Sequence, residues 1–374
     1  MISLETLSKK HIAAESRRMK MADPAVIERT MHAFVLLERL ALSDMPFLFK
    51  GGTSLLLALG KPERVSVDID IVCRVPKDKF ESELREWVKH PPFTRWENDV
   101  RESDSEPPTR RHYKVFYRGK YGSTATPHYV LLDVVEEECG IATKNTRRVE
   151  IDCPFLLLGG TSSKVRIPKT DALLGDKLTA FAPNTTGVPF VSPRRMEDSA
   201  HQVFKQLFDV AQLFGHLSDF GVFRTTFMDV VRREAKYKGI KDAPDSVLRD
   251  ILKTAFDITT FDIRRTKLES RYEHLIRSGI DKMGGDMING GRFGVIEAKT
   301  AAAKAAYLAA LLLKRQESVA CYSDRPNIIE RLVANRMSGQ LLVLDKLKKA
   351  NAIEAYFYWC EVVHLIREFP TIGV

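Results

Sequence analysis

Apolar positions change their period along this chain. Over 1–45, Val26, Ile27, Met31, Phe34, Val35 and Leu37 recur at helical spacing, which predicts helices up to Pro46. Phe47, Leu48 and Phe49 form a short apolar run. Lys50-Gly51-Gly52-Thr53-Ser54 follows, and then a second apolar run at 55–59. Glycines and a hydroxyl pair ahead of such a run predict a turn and a helix start. Gly60, Lys61 and Pro62 end that helix. Over 65–75 the period shortens to two, with Val65, Val67, Ile69 and Ile71 alternating with Ser66, Asp68 and Asp70, the pattern of a strand. Further along, the pattern predicts a helix at 78–90 and a polar, proline-containing loop at 92–109. A hairpin of strands is predicted at 113–117 and His128–Val135, and a short strand at 147–151.

From Thr170 the character changes to helix at 170–182, 197–217, 222–237, 246–256, 262–279, 293–316, 325–350 and 352–368. Breaks rich in glycine or proline fall at 182–193 and 283–294, the second reading as a linker. There is no internal repeat. The fold class expected is α+β: a mixed α/β half over 1–169 and an all-helical half over 170–374. A length of 374 residues agrees with two domains.

Composition adds little. Hydrophobic content of 44% and charged content of 29% are those of an ordinary soluble protein. The apolar stretch 301–313 is broken by Lys304 and flanked by Lys299 and Lys314, so no membrane span is expected. The first twenty residues lack an apolar h-region, and the five cysteines are scattered without a C-x-x-C pair. Both point to a cytoplasmic protein with reduced thiols. The net charge of +9 permits a polyanionic partner without requiring one. Basic clusters at Arg110-Arg111, Arg147-Arg148, Arg194-Arg195, Arg232-Arg233 and 236–241 read first as solvated faces. The nine histidines show no metal-ligand spacing.

The sharpest chemical feature is the pairing of 51–54 with 68–70. Positions i and i+2 of a strand share a face, so Asp68 and Asp70 project together while Ile69 is buried. Two carboxylates that close repel and call for a cation, and Mg²⁺ or Mn²⁺ takes carboxylate and phosphate oxygens together. Gly51, Gly52, Thr53 and Ser54 stand at a helix start, where unpaired N–H groups and the helix dipole favour phosphate. Either motif alone reads as a solvated strand edge or an ordinary turn. Separated by one helix, they can meet as a triphosphate cradle beside its metal. Asp133 sits within the apolar run 129–135, where a charge is costly unless paired or bound to metal, and so becomes a third candidate ligand. A sheet-edge Asp facing water is the alternative. Glu136, Glu137 and Glu138 read as a solvated strand end.

Lys177, on the predicted helix 170–182, could reach a triphosphate as a point charge, or be a surface lysine. Asp209 lies four residues after Lys205, so a surface ion pair is its plain reading.

These residues resemble a known family. Lys50-Gly51-Gly52-Thr53-Ser54 with Arg64-x-Ser66-x-Asp68-Ile69-Asp70-Ile71 is similar to the first motif of the AbiEii/AbiGii toxins, polymerase-β-like nucleotidyltransferases related to the MenT toxins. Asp176-Lys177-Leu178-Thr179-Ala180, within the run 174–187, resembles the helix-lysine motif. Lys205-Gln206-Leu207-Phe208-Asp209 matches the last motif in part. The resemblance covers roughly 47–215. It implies a nucleotidyltransferase fold, Mg²⁺, an NTP substrate, and a toxin made with a cognate antitoxin from an adjacent gene, in phage defence. It implies an RNA acceptor, with tRNA 3′ ends foremost. It also makes Ser66 and Asp68 active-site positions, gives Lys177 the triphosphate, and gives Asp209 the ordering of the site or a base contact. Two departures stand out: Gln206 replaces a carboxylate, and Ala182-Pro183-Asn184 stands where an arginine is usual. The rival readings are nucleotide transfer to a protein by the same site, and a catalytically silent binding protein on the same fold.

Overall fold

In the computed structural model, which describes residues 1–20, 23–100, 109–123, 125–136, 145–192, 196–264, 268–323 and 326–366, the chain divides into two units. The first comprises Met1–Thr170 with Gly285–Gly291, and the second comprises Asp171–Gly284 with Arg292–Val374.

Helices α1 (Lys9–Arg18) and α2 (Pro24–Leu42) open the first unit. Asp23 caps α2 by accepting from the Ala25 N–H, with Pro24 preset in the first turn. Ile27, Met31, Phe34 and Leu37 of α2 are fully buried, as their spacing predicts. Then follow β1 (Leu48–Lys50), α3 (Gly51–Ala58), β2 (Ile69–Val72) and α4 (Lys77–Trp87). Strands β3 (Phe93–Asn98), β4 (Arg110–Tyr117) and β5 (His128–Val135) complete a five-stranded sheet in the order β1-β2-β5-β4-β3. Only the β2–β5 pairing is parallel, so the sheet is mixed. One face, carrying Ile69, Ile71, Val130, Leu132, Val134, Tyr113 and Val115, is buried in the core. A separate ribbon pairs β6 (Thr146–Glu150) with β7 (Lys164–Pro168).

The structure departs from expectation at several places. Strand β3 occupies the predicted loop. As an edge strand it exposes Thr94, Arg95, Glu97 and Asn98 and buries Phe93, so its composition is that of a loop. The predicted strand at 65–75 shrinks to β2, because the residues ahead of it pair elsewhere. Val65 N donates to Asp286 O at 2.9 Å, Ile288 N donates to Glu63 O at 2.9 Å, and Arg64 bridges Met287. The presumed linker is thus part of the first unit, anchored by buried Met287 and Ile288. Residues 101–108, Glu137, Glu138, Cys139, Arg194-Arg195 and 367–368 lie outside the described residues.

The second unit holds α5 (Thr170–Ala180), α6 (Ala200–Phe214), α7 (Phe220–Lys238), α8 (Ala243–Thr260), α9 (Ser270–Met283), α10 (Val295–Lys314), α11 (Pro326–Ala334) and α12 (Ile353–Leu365). Helix α10 runs through its centre against α6, α8 and α12. Its alanines, Ala298 to Ala310, are buried and let the neighbouring backbones approach closely. The predicted helix 325–350 is broken: Gly339 adopts φ +57° and starts a 3₁₀ stretch over Gly339–Lys348. Among the described residues, no helix is long and apolar enough to cross a membrane.

Candidate active site

Strand β1 runs directly into α3, and the junction is built against β2. Lys50 ends the strand extended, and its side chain does not cap α3. Gly51 takes φ +76°, a conformation open to glycine and strained for other residues. A Cβ at Gly51 would lie 1.9 Å from Asp70 Oδ2, and one at Gly52 would lie 2.8 Å from Ser66 Oγ and 3.0 Å from Arg64 Nη2. The glycine pair is therefore the surface on which Asp70, Ser66 and the buried Arg64 rest.

Thr53 and Ser54 are fully buried. Thr53 Oγ1 donates to Asp68 O, tying the helix start to the residue before β2, and Ser54 Oγ donates to Gly51 O at 2.8 Å. Both hydroxyl hydrogens therefore go to backbone carbonyls. An anion at this turn would meet backbone N–H groups.

Register defines the rest of the site. Lys50 pairs with Asp70, Asp70 with Asp133, and Asp133 with His112, across β1, β2, β5 and β4. Residues in register on adjoining strands share a face. The row Lys50–Asp70–Asp133–His112 thus crosses the face of the sheet opposite the core. Asp70 and Asp133 are partly exposed, and Asp68 lies just ahead of β2, also partly exposed. His112, by contrast, is buried, and its Nδ1 lies 2.6 Å from Asp133 Oδ1. Among the described residues, no group of three or more His, Cys, Asp or Glu side chains is gathered as a metal centre. The donor chemistry still suits Mg²⁺, which is commonly held by one or two carboxylates together with substrate phosphates. Two like-charged, hard-oxygen groups side by side in register are such a pair.

Sequence reasoning missed His112. Its signal lay in the hairpin register, which sets it opposite Asp133. Glu136 is no mere solvated end either, since it pairs with buried Arg111 at 2.7 Å.

Within the second unit, Lys177 and Asp209 are both buried. Lys177 Nζ lies 2.9 Å from Asp209 Oδ2 and donates to Gln206 Oε1 at 3.0 Å. Burial removes the plain surface readings of both residues. Gln206 keeps an acceptor on the lysine without adding a second negative charge. The following turn at 182–187 is clamped from both sides. Asp250 accepts from Asn184 N at 2.8 Å, Asn184 Nδ2 at 2.7 Å and Thr185 Oγ1 at 2.8 Å. Lys238 Nζ donates to the carbonyls of Thr185, Thr186 and Gly187.

A glycine-led helix start packed against Ser66 and Asp70, with a further aspartate in register beside it, sets an anion-binding turn next to paired carboxylates, as the nucleotidyltransferase resemblance implies. The family model for the nucleotidyl transferase AbiEii toxin of type IV toxin–antitoxin systems matches residues 35–287, and the chain belongs to that family. Membership implies a nucleotide substrate and a cognate antitoxin. No curated protein matches the sequence. Among solved structures, the chain is similar to a candidate nucleotidyltransferase from H. pylori at 17% identity and TM-score 0.36, covering 79% of this chain and 96% of that one. It is also similar to an antigenic nucleotidyltransferase-like protein from Paracoccidioides brasiliensis at 15% identity and TM-score 0.34, covering 58% and 93%. Both superpositions are loose, and membership stands on the family model.

Proposed function

We propose that this toxin transfers a nucleoside monophosphate from an NTP to the 3′ end of an RNA, tRNA foremost, as the growth-arresting half of a phage-defence pair. The observation that carries this reading is the register of Asp70 with Asp133 beside the glycine-led start of α3. The first-turn N–H groups of α3 would hold phosphate oxygens. Lys50, which has no ion-pair partner among the described residues, adds a positive charge on the same face. The family resemblance gives Lys177 triphosphate oxygens, and within the second unit Asp209 and Gln206 keep its ammonium in place. In the transfer, the RNA 3′ oxygen forms a bond to the α-phosphorus, the bond to the bridging oxygen breaks, and pyrophosphate leaves. Asp133 takes the hydroxyl proton. Asp68, Asp70 and Asp133 are the groups that would hold Mg²⁺ or Mn²⁺. Such an ion, when bound, neutralises charge on the phosphates and lowers the barrier to attack.

The test is labelling of total tRNA by each α-labelled NTP, with and without RNase, for wild type and for Asp68→Ala, Asp70→Ala and Asp133→Ala. Label should enter RNA 3′ ends and vanish in all three variants. Label that survives RNase on protein would move the acceptor assignment to a polypeptide. Undiminished labelling in Asp68→Ala and Asp70→Ala would end the metal-site reading.

A further inference from the structure

Asp133 is held from one side. Its neighbour on β2 is Asp70, and its neighbour on β4 is His112, so the three stand in sequence across the sheet with Asp133 in the middle. The imidazole is 6% exposed, and Nδ1 lies 2.6 Å from Asp133 Oδ1. A carboxylate accepts, so Nδ1 carries the hydrogen and donates. An aspartate carboxyl is broadly free to rotate about its last torsion. A nitrogen this near fixes one oxygen and turns the other away from the histidine. It also draws the carboxyl toward β4, against the repulsion it meets from Asp70. The backbone of His112 is held in turn, with Asp99 N donating to His112 O at 2.7 Å. A buried imidazole is costly without a polar partner, and an apolar side chain would pack at that position with less penalty.

We infer that His112 is a positioning residue for Asp133: it holds one carboxylate oxygen so that the other is presented to metal or the acceptor hydroxyl. The inference rests on the functional reading above. It concerns orientation and requires no change in the protonation of either group.

The two amide replacements separate this role from packing. In His112→Asn the amide nitrogen falls near the position of Nδ1. In His112→Gln it falls near Nε2, out of reach of Asp133 Oδ1. His112→Ala has no donor. The three variants and Asp133→Asn would be compared by steady-state transfer to tRNA, by Mn²⁺ binding in electron paramagnetic resonance, and by thermal melting. Ala and Gln should lower kcat by about 10–100-fold, the usual loss when a partner that orients a ligand is removed, and leave KM for NTP unchanged. They should also weaken Mn²⁺ binding, while Asn retains most of both. Equal behaviour of Asn and Gln in kcat and Mn²⁺ binding, whatever their melting temperatures, would overturn the inference. Full activity in Asp133→Asn would instead strike the functional reading itself.

Discussion

Gly51 offers a direct measurement of how closely the helix start and the strand are fitted. Substituting alanine makes two separable demands. The first is conformational: φ +76° is left-handed, which costs an L-residue roughly 1–2 kcal/mol. The second is steric: the new methyl would stand 1.9 Å from Asp70 Oδ2, where about 3 Å is the least that real carbon atoms tolerate, so the carboxylate must retreat by about 1 Å. A displacement of that size at a reacting centre costs about 100-fold in rate. Gly60 isolates the first demand, for it takes φ +68° with no atom within 4 Å of an added Cβ. Both Gly51→Ala and Gly60→Ala should therefore melt roughly 2–8 °C lower, taking about 2–4 °C per kcal/mol for a unit of this size. Only Gly51→Ala should lose transfer activity, by about 100-fold. The assay pairs scanning calorimetry with NTP labelling of tRNA on the same preparations. Equal activity in the two variants would refute the claim that Gly51 is reserved for Asp70.

Three further outcomes follow from the geometry. His32 stacks on Tyr117 at 3.6 Å and donates Nδ1–H to Glu28 O at 2.8 Å. Burial holds its pKa down to about 4; the Glu28 carbonyl opposes this, and Lys120 and His128 add to it. The folded state then binds fewer protons than the unfolded one between that value and about 6.5, so stability is complete above the window and falls by ~3 kcal/mol as pH drops through it. Urea melts of His32→Phe should lose this acid sensitivity, and an unchanged slope would count against it. Lys177→Met takes away the ammonium that meets buried Asp209 and should destabilise by about 3–5 kcal/mol, with Lys177→Met/Asp209→Leu recovering part of the loss; additive losses in the cycle would refute the pairing. Asp250→Ala releases three donors of the 184–185 turn and should cost about 1–3 kcal/mol by chemical denaturation, whereas a neutral result would mean the clamp carries no stability.

Much of the α+β architecture is written in local periodicity, although the helix expected at 262–279 is observed at Ser270–Met283 and the one expected at 325–350 is broken. Strand β3 is polar because it lies at a sheet edge, and edge position is a property of the whole sheet rather than of six residues. Strand β7 does carry an alternation, with Val165 and Ile167 buried, but is short enough to pass for a loop. Met287 and Ile288 are hidden among glycines, and only their pairing with 63–65 reveals them as structure. The same logic applies to the site. Asp68 and Asp70 are legible because their spacing is local, although β2 begins only at Ile69 and leaves Asp68 just ahead of it. The meeting of Asp70 with Asp133 depends on a parallel pairing, and that of Asp133 with His112 on a hairpin register, both set by distant parts of the chain. Gln206 looked like a defect in a motif, and its contact with Lys177 shows it still at work as an acceptor.

The return of Gly285–Gly291 to the first unit bears on how the toxin is made. The strand-like stretch at 63–65, which leads into Ser66 and Asp68, lacks its partner until the ribosome has passed residue 291. Between Thr170 and Gly285 the chain is occupied with the second unit. At ordinary elongation rates this interval lasts on the order of ten seconds. A nascent or prematurely ended chain stopping at residue 170 would carry Asp68, Asp70 and Asp133 but lack the 285–291 segment that pairs with 63–65. Expression of 1–170 alone should accordingly give an unstable and inactive fragment, so a cell translating this message is exposed to the activity only once most of the chain has been synthesised.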